Sequence, residues 1–85
     1  MNKGQYKRYE ATYGSNTKQW WIYDTEKDVF IDPPTDILKE AEKKGGFESA
    51  YAMDLSQDYL EGVANESPSW IYDLDYHYPA DCIDI

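Results

Sequence analysis

The second half of the sequence contains no basic side chains. No lysine or arginine follows Lys44, whereas nine aspartates and glutamates do. Residues 1–44 carry eight acids and eight bases, so the whole net charge of -9 belongs to residues 45–85. This asymmetry argues against direct contact with nucleic acid or an anionic membrane, and it favours a basic protein surface as partner. The competing explanation is that the acidity serves solubility alone.

Cysteine and long apolar runs are also scarce. Cys82 is the only cysteine, which excludes an internal disulfide and is typical of a protein in a reducing compartment. The sequence has no apolar run of the length that a signal peptide or a membrane helix needs. We therefore expect a cytoplasmic protein with no membrane contact.

The apolar residues that fill most protein cores are few as well. Leucine, isoleucine, valine and phenylalanine number 14 among 85 residues, a share that is typical of disordered chains when the net charge is high. Nine tyrosines and three tryptophans compensate for this shortage of core residues, because each aromatic ring buries a large area on folding. A chain of this length has room for one core. The sequence therefore predicts a single domain over residues 1–85 with a small core rich in rings.

Three segments in the first third of the chain are predicted to be strands. Residues 5–13 and 19–24 are separated by a turn signal at Gly14, and residues 29–32 follow a short polar loop and end at Pro33. They predict a three-stranded antiparallel meander. Trp20 and Trp21 would point to opposite faces of the second strand, so one of them would lie under a helix or be exposed.

Two or three helices are predicted in the middle of the chain. Thr35 or Asp36 can cap a helix that runs to Lys44 and ends at Gly45-Gly46. The apolar residues that follow recur at a spacing of four, which is typical of a second helix. They are Phe47, Tyr51, Leu55 and Tyr59. Ser56 is a good N-cap for residues 57–65, so a break in the second helix near this serine is one of two alternatives.

Residues 69–78 form the longest alternating segment. Aromatic and aliphatic side chains occupy every second position from Trp70, and the positions between them include two carboxylates, Asp73 and Asp75, and the imidazole of His77. Such alternation predicts a half-buried strand. The tetrapeptide Trp-Ile-Tyr-Asp occurs at 21–24 and again at 70–73, which we attribute to shared strand composition rather than to a duplicated unit. The predicted class is α+β: an antiparallel sheet of about four strands, the N-terminal meander plus strand 69–78, with two or three helices packed on one face.

Patterns for catalysis and metal binding are weak. Asp73, Asp75 and His77 would share one strand face at intervals of ~6.6 Å, and such donors hold a metal ion only if they converge on it. The sequence has no phosphate-cradling glycine loop, nucleotide fingerprint or paired-cysteine motif. We therefore expect a protein that is not an enzyme and needs no cofactor. A metal-dependent activity at these three residues is a third hypothesis.

The carboxylates of the second half are predicted to form an acidic surface. Like charges at helical spacing, such as Asp54 and Asp58, destabilise an isolated helix by about 0.2–0.5 kcal/mol per pair, so the pattern indicates a role other than stability. Exposed aromatic rings among the acids would anchor a partner. The predicted partner-binding residues are Asp54, Asp58, Glu61, Trp70, Asp73, Asp75, Tyr76, Tyr78, Asp81 and Asp84.

In size, acidity, aromatic content and lack of catalytic motifs, the whole chain resembles the small inhibitors encoded by phages and mobile elements. These include anti-CRISPR proteins, anti-restriction proteins and uracil-DNA glycosylase inhibitors, several of which mimic DNA. The resemblance implies a non-enzymatic inhibitor that occupies a basic nucleic-acid-binding groove of a defence or DNA-processing enzyme. The alternative is a small structural or regulatory interaction domain without mimicry, which would bind through an edge strand or the aromatic patch.

Overall fold

The computed structural model describes residues 7–85 and contains an antiparallel sheet with helices packed against it. The strands follow one another across the sheet in sequence order: β1 (Tyr9–Gly14), β2 (Gln19–Asp24), β3 (Val29–Ile31) and β4 (His77–Pro79). The other elements are helices α1 (Thr35–Lys44) and α2 (Ala50–Asn65) and two 3-10 turns (Ser69–Tyr72 and Leu74–Tyr76). The predicted α+β class is therefore confirmed.

The three-stranded meander forms where the turn signals predict it. β2 has the predicted bounds, and β3 ends one residue earlier than predicted. β1 begins at Tyr9, whereas residues 5 and 6 of the predicted strand lie outside the described part. Each of the two connecting turns is closed by a backbone hydrogen bond, from Lys18 N–H to Gly14 O at 2.7 Å and from Asp28 N–H to Asp24 O at 2.8 Å.

Helix α1 has no side-chain cap: it begins after Pro34 and ends before Gly45. Pro34 is the N-cap, and its carbonyl accepts from the N–H groups of Ile37 and Leu38, so the predicted side-chain cap at Thr35 or Asp36 is wrong. The helix ends at Gly45, as predicted. A Cβ at Gly45 would collide with the carbonyl of Ala52 and lie 2.7 Å from the backbone nitrogen of Ser56, so glycine allows α2 to approach this closely.

Helix α2 is continuous, so the alternative of a break near Ser56 is wrong. Ser49 caps the helix by accepting from Ala52 N–H at 3.1 Å. Ser56 is fully buried; its hydroxyl donates to Ala41 O at 2.8 Å and accepts from Gly46 N–H at 3.0 Å. The serine therefore joins α2 to the end of α1 instead of starting a new helix.

The core lies between the helices and one face of the sheet. Its buried side chains come from β1, β2, β3, both α-helices and the first 3-10 turn: Tyr9, Ala11, Trp20, Ile22, Ile31, Ala41, Leu60, Ala64 and Ile71. Trp20 is part of this core, whereas Trp21 is buried on the opposite face against the rings of Phe30 and Tyr78. The predicted opposite orientation of the two tryptophans is thus confirmed.

Residues 69–78 are not the continuous strand that their alternation predicts. Pairing with β3 begins only at His77, and β4 (His77–Pro79) lies opposite Val29–Ile31. The preceding residues satisfy their polar groups locally: the Asp73 carboxylate accepts from Asp75 N–H at 3.1 Å, and His77 Nε2 lies 2.9 Å from Ile71 O. These local hydrogen bonds compete with a strand ladder. The fourth strand exists, but most of its predicted length is wrong.

Residues 80–85, the tail, are fastened to two turns of the meander. Ala80 N–H donates to Asp28 O at 3.1 Å, and Ile85 O accepts from Asn16 N–H at 2.7 Å and Thr17 N–H at 2.9 Å. These turns lie at opposite ends of the strands. Ala80 and Ile85 line a hollow together with Tyr23 and Phe30, which share the sheet face opposite the core. The tail therefore crosses that second face.

Candidate functional site

The acidic residues of the second half are mostly exposed and without a cationic partner. Of the nine, eight are exposed, and none of these eight forms an ion pair with a base of residues 7–85. They are Glu48, Asp54, Asp58, Glu66, Asp73, Asp75, Asp81 and Asp84. Their charge is therefore available to solvent or to a binding partner.

Glu61 is the exception among the nine acids. Its Oε1 accepts from Lys7 Nζ at 3.2 Å and its Oε2 accepts from Ala11 N–H at 3.0 Å. The side chain is only 13% exposed. Glu61 was predicted as a partner-binding residue, but both of its oxygens are engaged within the fold, so we omit it from the candidate surface.

Glu61 belongs to a row of three α2 side chains that covers the outer edge of β1. Gln57 Nε2 donates to Ala11 O at 2.9 Å, and Asn65 Nδ2 donates to Tyr9 O at 3.1 Å. Asn65 Oδ1 also accepts from Tyr9 N–H at 3.4 Å. We call Gln57, Glu61 and Asn65 the edge-covering residues. Because they occupy backbone groups that an added strand would need, they oppose β-sheet extension at this edge.

The outward face of α2 combines acids with exposed apolar side chains. Asp54 and Asp58 are one helical turn apart and exposed. Tyr51 and Leu55 are exposed beside them, the tyrosine by 72%. The apolar spacing that predicted this helix therefore includes residues on its solvent face, whereas the buried positions are Ser56, Leu60 and Ala64.

Residues 72–78 form the second part of the candidate site, which we call the acidic–aromatic segment. Tyr72 is 58% exposed and Leu74 is 71% exposed, and Asp73 and Asp75 between them are also exposed. In a strand, the rings and the carboxylates would point to opposite faces. Because the backbone forms 3-10 turns here, both kinds of side chain are accessible in one segment.

The aromatic residues predicted as anchors differ in their exposure. Trp70 is partly buried and packs against the core. Tyr76 and Tyr78 are both exposed, although the ring of Tyr78 also contacts that of Trp21 edge-to-face, with centroids 5.7 Å apart. The most exposed apolar side chains of the segment, Tyr72 and Leu74, were not among the predicted anchors. The alternation places every second side chain from Trp70 to Tyr78 on one strand face, so it gives no sign of which of them are exposed.

The predicted site residues lie in three places. Asp54 and Asp58 are on α2, which packs along β1, whereas the acidic–aromatic segment leads into β4, the strand at the other edge of the sheet. With neighbouring strands ~4.8 Å apart, these edges are separated by ~14 Å. Asp81 and Asp84 belong to the tail, where Asp84 Oδ1 accepts from Asn16 Nδ2 at 3.0 Å.

The most strongly engaged carboxylate lies outside these groups. Asp24 is buried and accepts from Arg8 Nε and Nη2, each at 3.0 Å, and from the N–H groups of Glu26 at 3.0 Å and Lys27 at 3.3 Å. Burial alone would raise the pKa of Asp24, but these hydrogen bonds outweigh it and lower the pKa below its ordinary value. The hydrogen bond to Asp24 raises the pKa of Arg8. With all of its partners internal, Asp24 has a structural role.

No arrangement suited to a metal ion is found among residues 7–85. No group of three histidine, cysteine, aspartate or glutamate side chains there is placed to hold one. Asp73 and Asp75 lie on a 3-10 turn and its cap, whereas His77 begins β4 beside the carbonyl of Ile71. The shared strand face on which the metal hypothesis depended is therefore absent.

Neither helix of the described chain is long and apolar enough to span a bilayer.

Comparisons with protein-family models, with curated proteins and with solved structures find no match to this chain.

Proposed function

We propose that this protein is a non-enzymatic cytoplasmic inhibitor that binds a basic surface of another protein. The surface that we propose is the nucleic-acid-binding groove of a defence or DNA-processing enzyme, which the inhibitor blocks competitively. The proposal is supported by the eight exposed carboxylates that have no cationic partner among residues 7–85. Unpaired charges of one sign repel one another and destabilise the folded state, and a partner rich in arginine and lysine would relieve this repulsion.

The carboxylates are spaced more widely than the charges of duplex DNA, so they can pair with successive basic residues of a partner but do not reproduce the charge density of DNA. Asp54 and Asp58 are separated by ~6 Å along the helix axis, whereas duplex DNA carries one charge per ~1.7 Å of axis. The protein would therefore bind the phosphate-contacting side chains of a groove at intervals. Such charge complementarity mainly accelerates association and gives a strong salt dependence.

The acidic–aromatic segment supplies side chains that suit arginine. A guanidinium group stacks on an aromatic face and also binds a carboxylate in a bidentate manner. Tyr72 and Tyr76 lie in the same exposed segment as Asp73 and Asp75. Burial of these rings and of Leu74 on binding would slow dissociation, because buried aromatic anchors dominate interface energies.

The first experiment is a pull-down from lysate with the full chain as bait and stepwise elution with salt. We expect a nucleic-acid-binding enzyme to elute at moderate salt and to be released by competing duplex DNA. A partner that binds no nucleic acid, or that is indifferent to the DNA, would contradict the proposed groove.

A matched pair of variants tests the carboxylates once the partner is in hand. The test variant combines Asp58→Asn, Asp73→Asn and Asp75→Asn; asparagine keeps the acceptor with which residue 73 caps its turn. The control combines Glu10→Gln, Asp36→Asn and Glu42→Gln, three exposed acids of the charge-balanced half. At about 0.5 kcal/mol per exposed charge, the test variant should bind about tenfold more weakly at low salt. Equal affinities of the two variants would refute a local role for these carboxylates.

The second candidate function is an interaction domain that binds through apolar contacts. The exposure of Tyr72 and Leu74 favours it. Extension of the sheet at β1 is disfavoured, because the edge-covering residues occupy the backbone groups of Tyr9 and Ala11. In this case binding should persist in high salt, be unaffected by competing DNA and be lost in a Tyr72→Ser/Leu74→Ser variant.

A further inference from the structure

A cleft of about 200 Å³ lies between the β1–β2 hairpin and helix α1. Its lining includes none of the eight exposed carboxylates described above. It has an aromatic part, a basic part and the start of a helix. A cleft of this volume is smaller than the 300–1,000 Å³ sites of drug-sized ligands. It suits a single ring with one acidic group.

The aromatic part is made by three rings in contact. Tyr13 packs edge-to-face against Trp20, with centroids 5.6 Å apart, and against Phe47, with centroids 5.4 Å apart. Phe47 is 46% exposed. The indole N–H of Trp20 is buried and has no acceptor among the described residues. The wall of the cleft therefore offers apolar surface, whereas the indole N–H of Trp20 is itself buried and is not part of that surface.

The basic part is formed by Lys18 and Lys39. Seven of the eight bases lie in residues 7–85, and four of them form ion pairs with carboxylates there. The three without such a pair are Lys18, Lys27 and Lys39. Two of these three line the cleft, although the chain as a whole has a charge of -9. Glu42 also lines the cleft, so the lining residues alone have a formal charge of +1. Asp36 lies in the first turn of α1 beside Thr35, and Asp32 accepts from the lining residue Gln19.

The start of α1 adds a third feature that favours a negative charge. Thr35, the first residue of α1, lines the cleft, and the helix has no side-chain cap at this end. A helix N-terminus carries a partial positive charge and free N–H donors that bind anions. The threonine hydroxyl can donate a further hydrogen bond.

We propose that this cleft binds a small monocyclic anion, a carboxylate or a phosphate monoester, with its ring against Tyr13 and Phe47. The acidic group lies between Lys18 and Lys39, near the start of α1. This site is independent of the acidic surface and of the inhibitor function proposed above.

The test is a titration of the full chain with benzoate and with phenyl phosphate, followed by tryptophan fluorescence and by amide chemical shifts in NMR. Benzamide, which has the same ring and no charge, is the control ligand. We expect dissociation constants of about 1 mM for the anions, shifts centred on Thr35 and Phe47, and at least tenfold weaker binding of benzamide. Tighter binding of benzoate would identify a carboxylate site, and tighter binding of phenyl phosphate a phosphate site.

Three single variants locate the acidic group. Lys18 has a positive φ of 59°, so it is replaced by asparagine, which tolerates this conformation. Lys18→Asn and Lys39→Gln should each weaken anion binding about fivefold, and the matched control Lys27→Asn should leave it unchanged. Circular dichroism checks that each variant is folded. Equal binding of benzamide and benzoate, shifts outside the cleft, or an equal loss in Lys27→Asn would overturn the proposal.

Discussion

Asp24 is the buried carboxylate on which the start of β1 and the β2–β3 turn converge, and its replacement should strongly destabilise the fold. An Asp24→Ala variant would leave the Arg8 guanidinium and the N–H groups of Glu26 and Lys27 without their acceptor. Removing one partner of a buried ion pair costs about 3–5 kcal/mol. The Arg8 side chain is 28% exposed, so water recovers part of this loss, and we expect about 2–4 kcal/mol.

Thermal and urea unfolding, followed by far-UV circular dichroism, measure this loss. For a domain of this size each kcal/mol lowers the midpoint by about 4–8 °C, so Asp24→Ala should melt about 8–32 °C lower. The near-isosteric Asp24→Asn keeps one acceptor for the turn and should fall between the wild type and Asp24→Ala.

The pH dependence of the unfolding free energy tests whether the charge of Asp24 stabilises the fold. The pKa of Asp24 is lowered in the folded state, whereas an unfolded aspartate titrates near ~3.9. The stabilisation is therefore fully present well above pH ~4 and is lost as the pH falls through that value towards the lower folded pKa. The difference in unfolding free energy between wild type and Asp24→Asn should shrink from pH 7 to pH 3. A difference that stays constant over this range would show that the carboxylate charge does not stabilise the fold.

Two further substitutions test how α2 is attached. Ser56→Ala removes the buried hydroxyl that bonds Ala41 O and Gly46 N–H, and it should lower the unfolding free energy by about 1–3 kcal/mol in urea titrations; Ser56→Thr adds a methyl group to the packed site and should not restore full stability. Glu61→Ala frees Ala11 N–H at the edge of β1 and should produce concentration-dependent association in analytical ultracentrifugation. Glu61→Gln, which keeps an acceptor, should remain as monomeric as the wild type, and association of both variants alike would argue against edge protection.

The parts of the fold that the sequence predicts well are those with local determinants. β2 lies between two turn signals, which set its bounds. Because neighbouring side chains of a strand point to opposite faces, Trp20 and Trp21 are buried on opposite sides of the sheet. The end of α1 is predicted because Gly45 follows lysines in the last turn. In each case a few neighbouring residues are sufficient to favour one backbone conformation.

The repeated tetrapeptide Trp-Ile-Tyr-Asp marks the limit of such local prediction. At 21–24 it is part of a strand with a neighbour on each side, whereas at 70–73 it forms a 3-10 turn and the cap of the next turn. The same four residues therefore adopt two conformations, because strand formation depends on pairing partners as well as on composition. For the same reason the exposure of Tyr72 and Leu74 was not predictable. The acidity of residues 45–85 was predictable, because charge does not depend on the backbone conformation.

Helix α2 divides its residues among separate tasks, and this division bears on how the protein can change. Positions 56, 60 and 64 face the core, and positions 57, 61 and 65 cover the edge of β1. Positions 51, 54, 55 and 58 are exposed. Substitutions in the first two sets alter folding, whereas those in the third set leave these contacts intact. Mutation can therefore change what the outward face binds while the domain keeps its stability, so affinity for a new partner does not have to evolve at the expense of the fold.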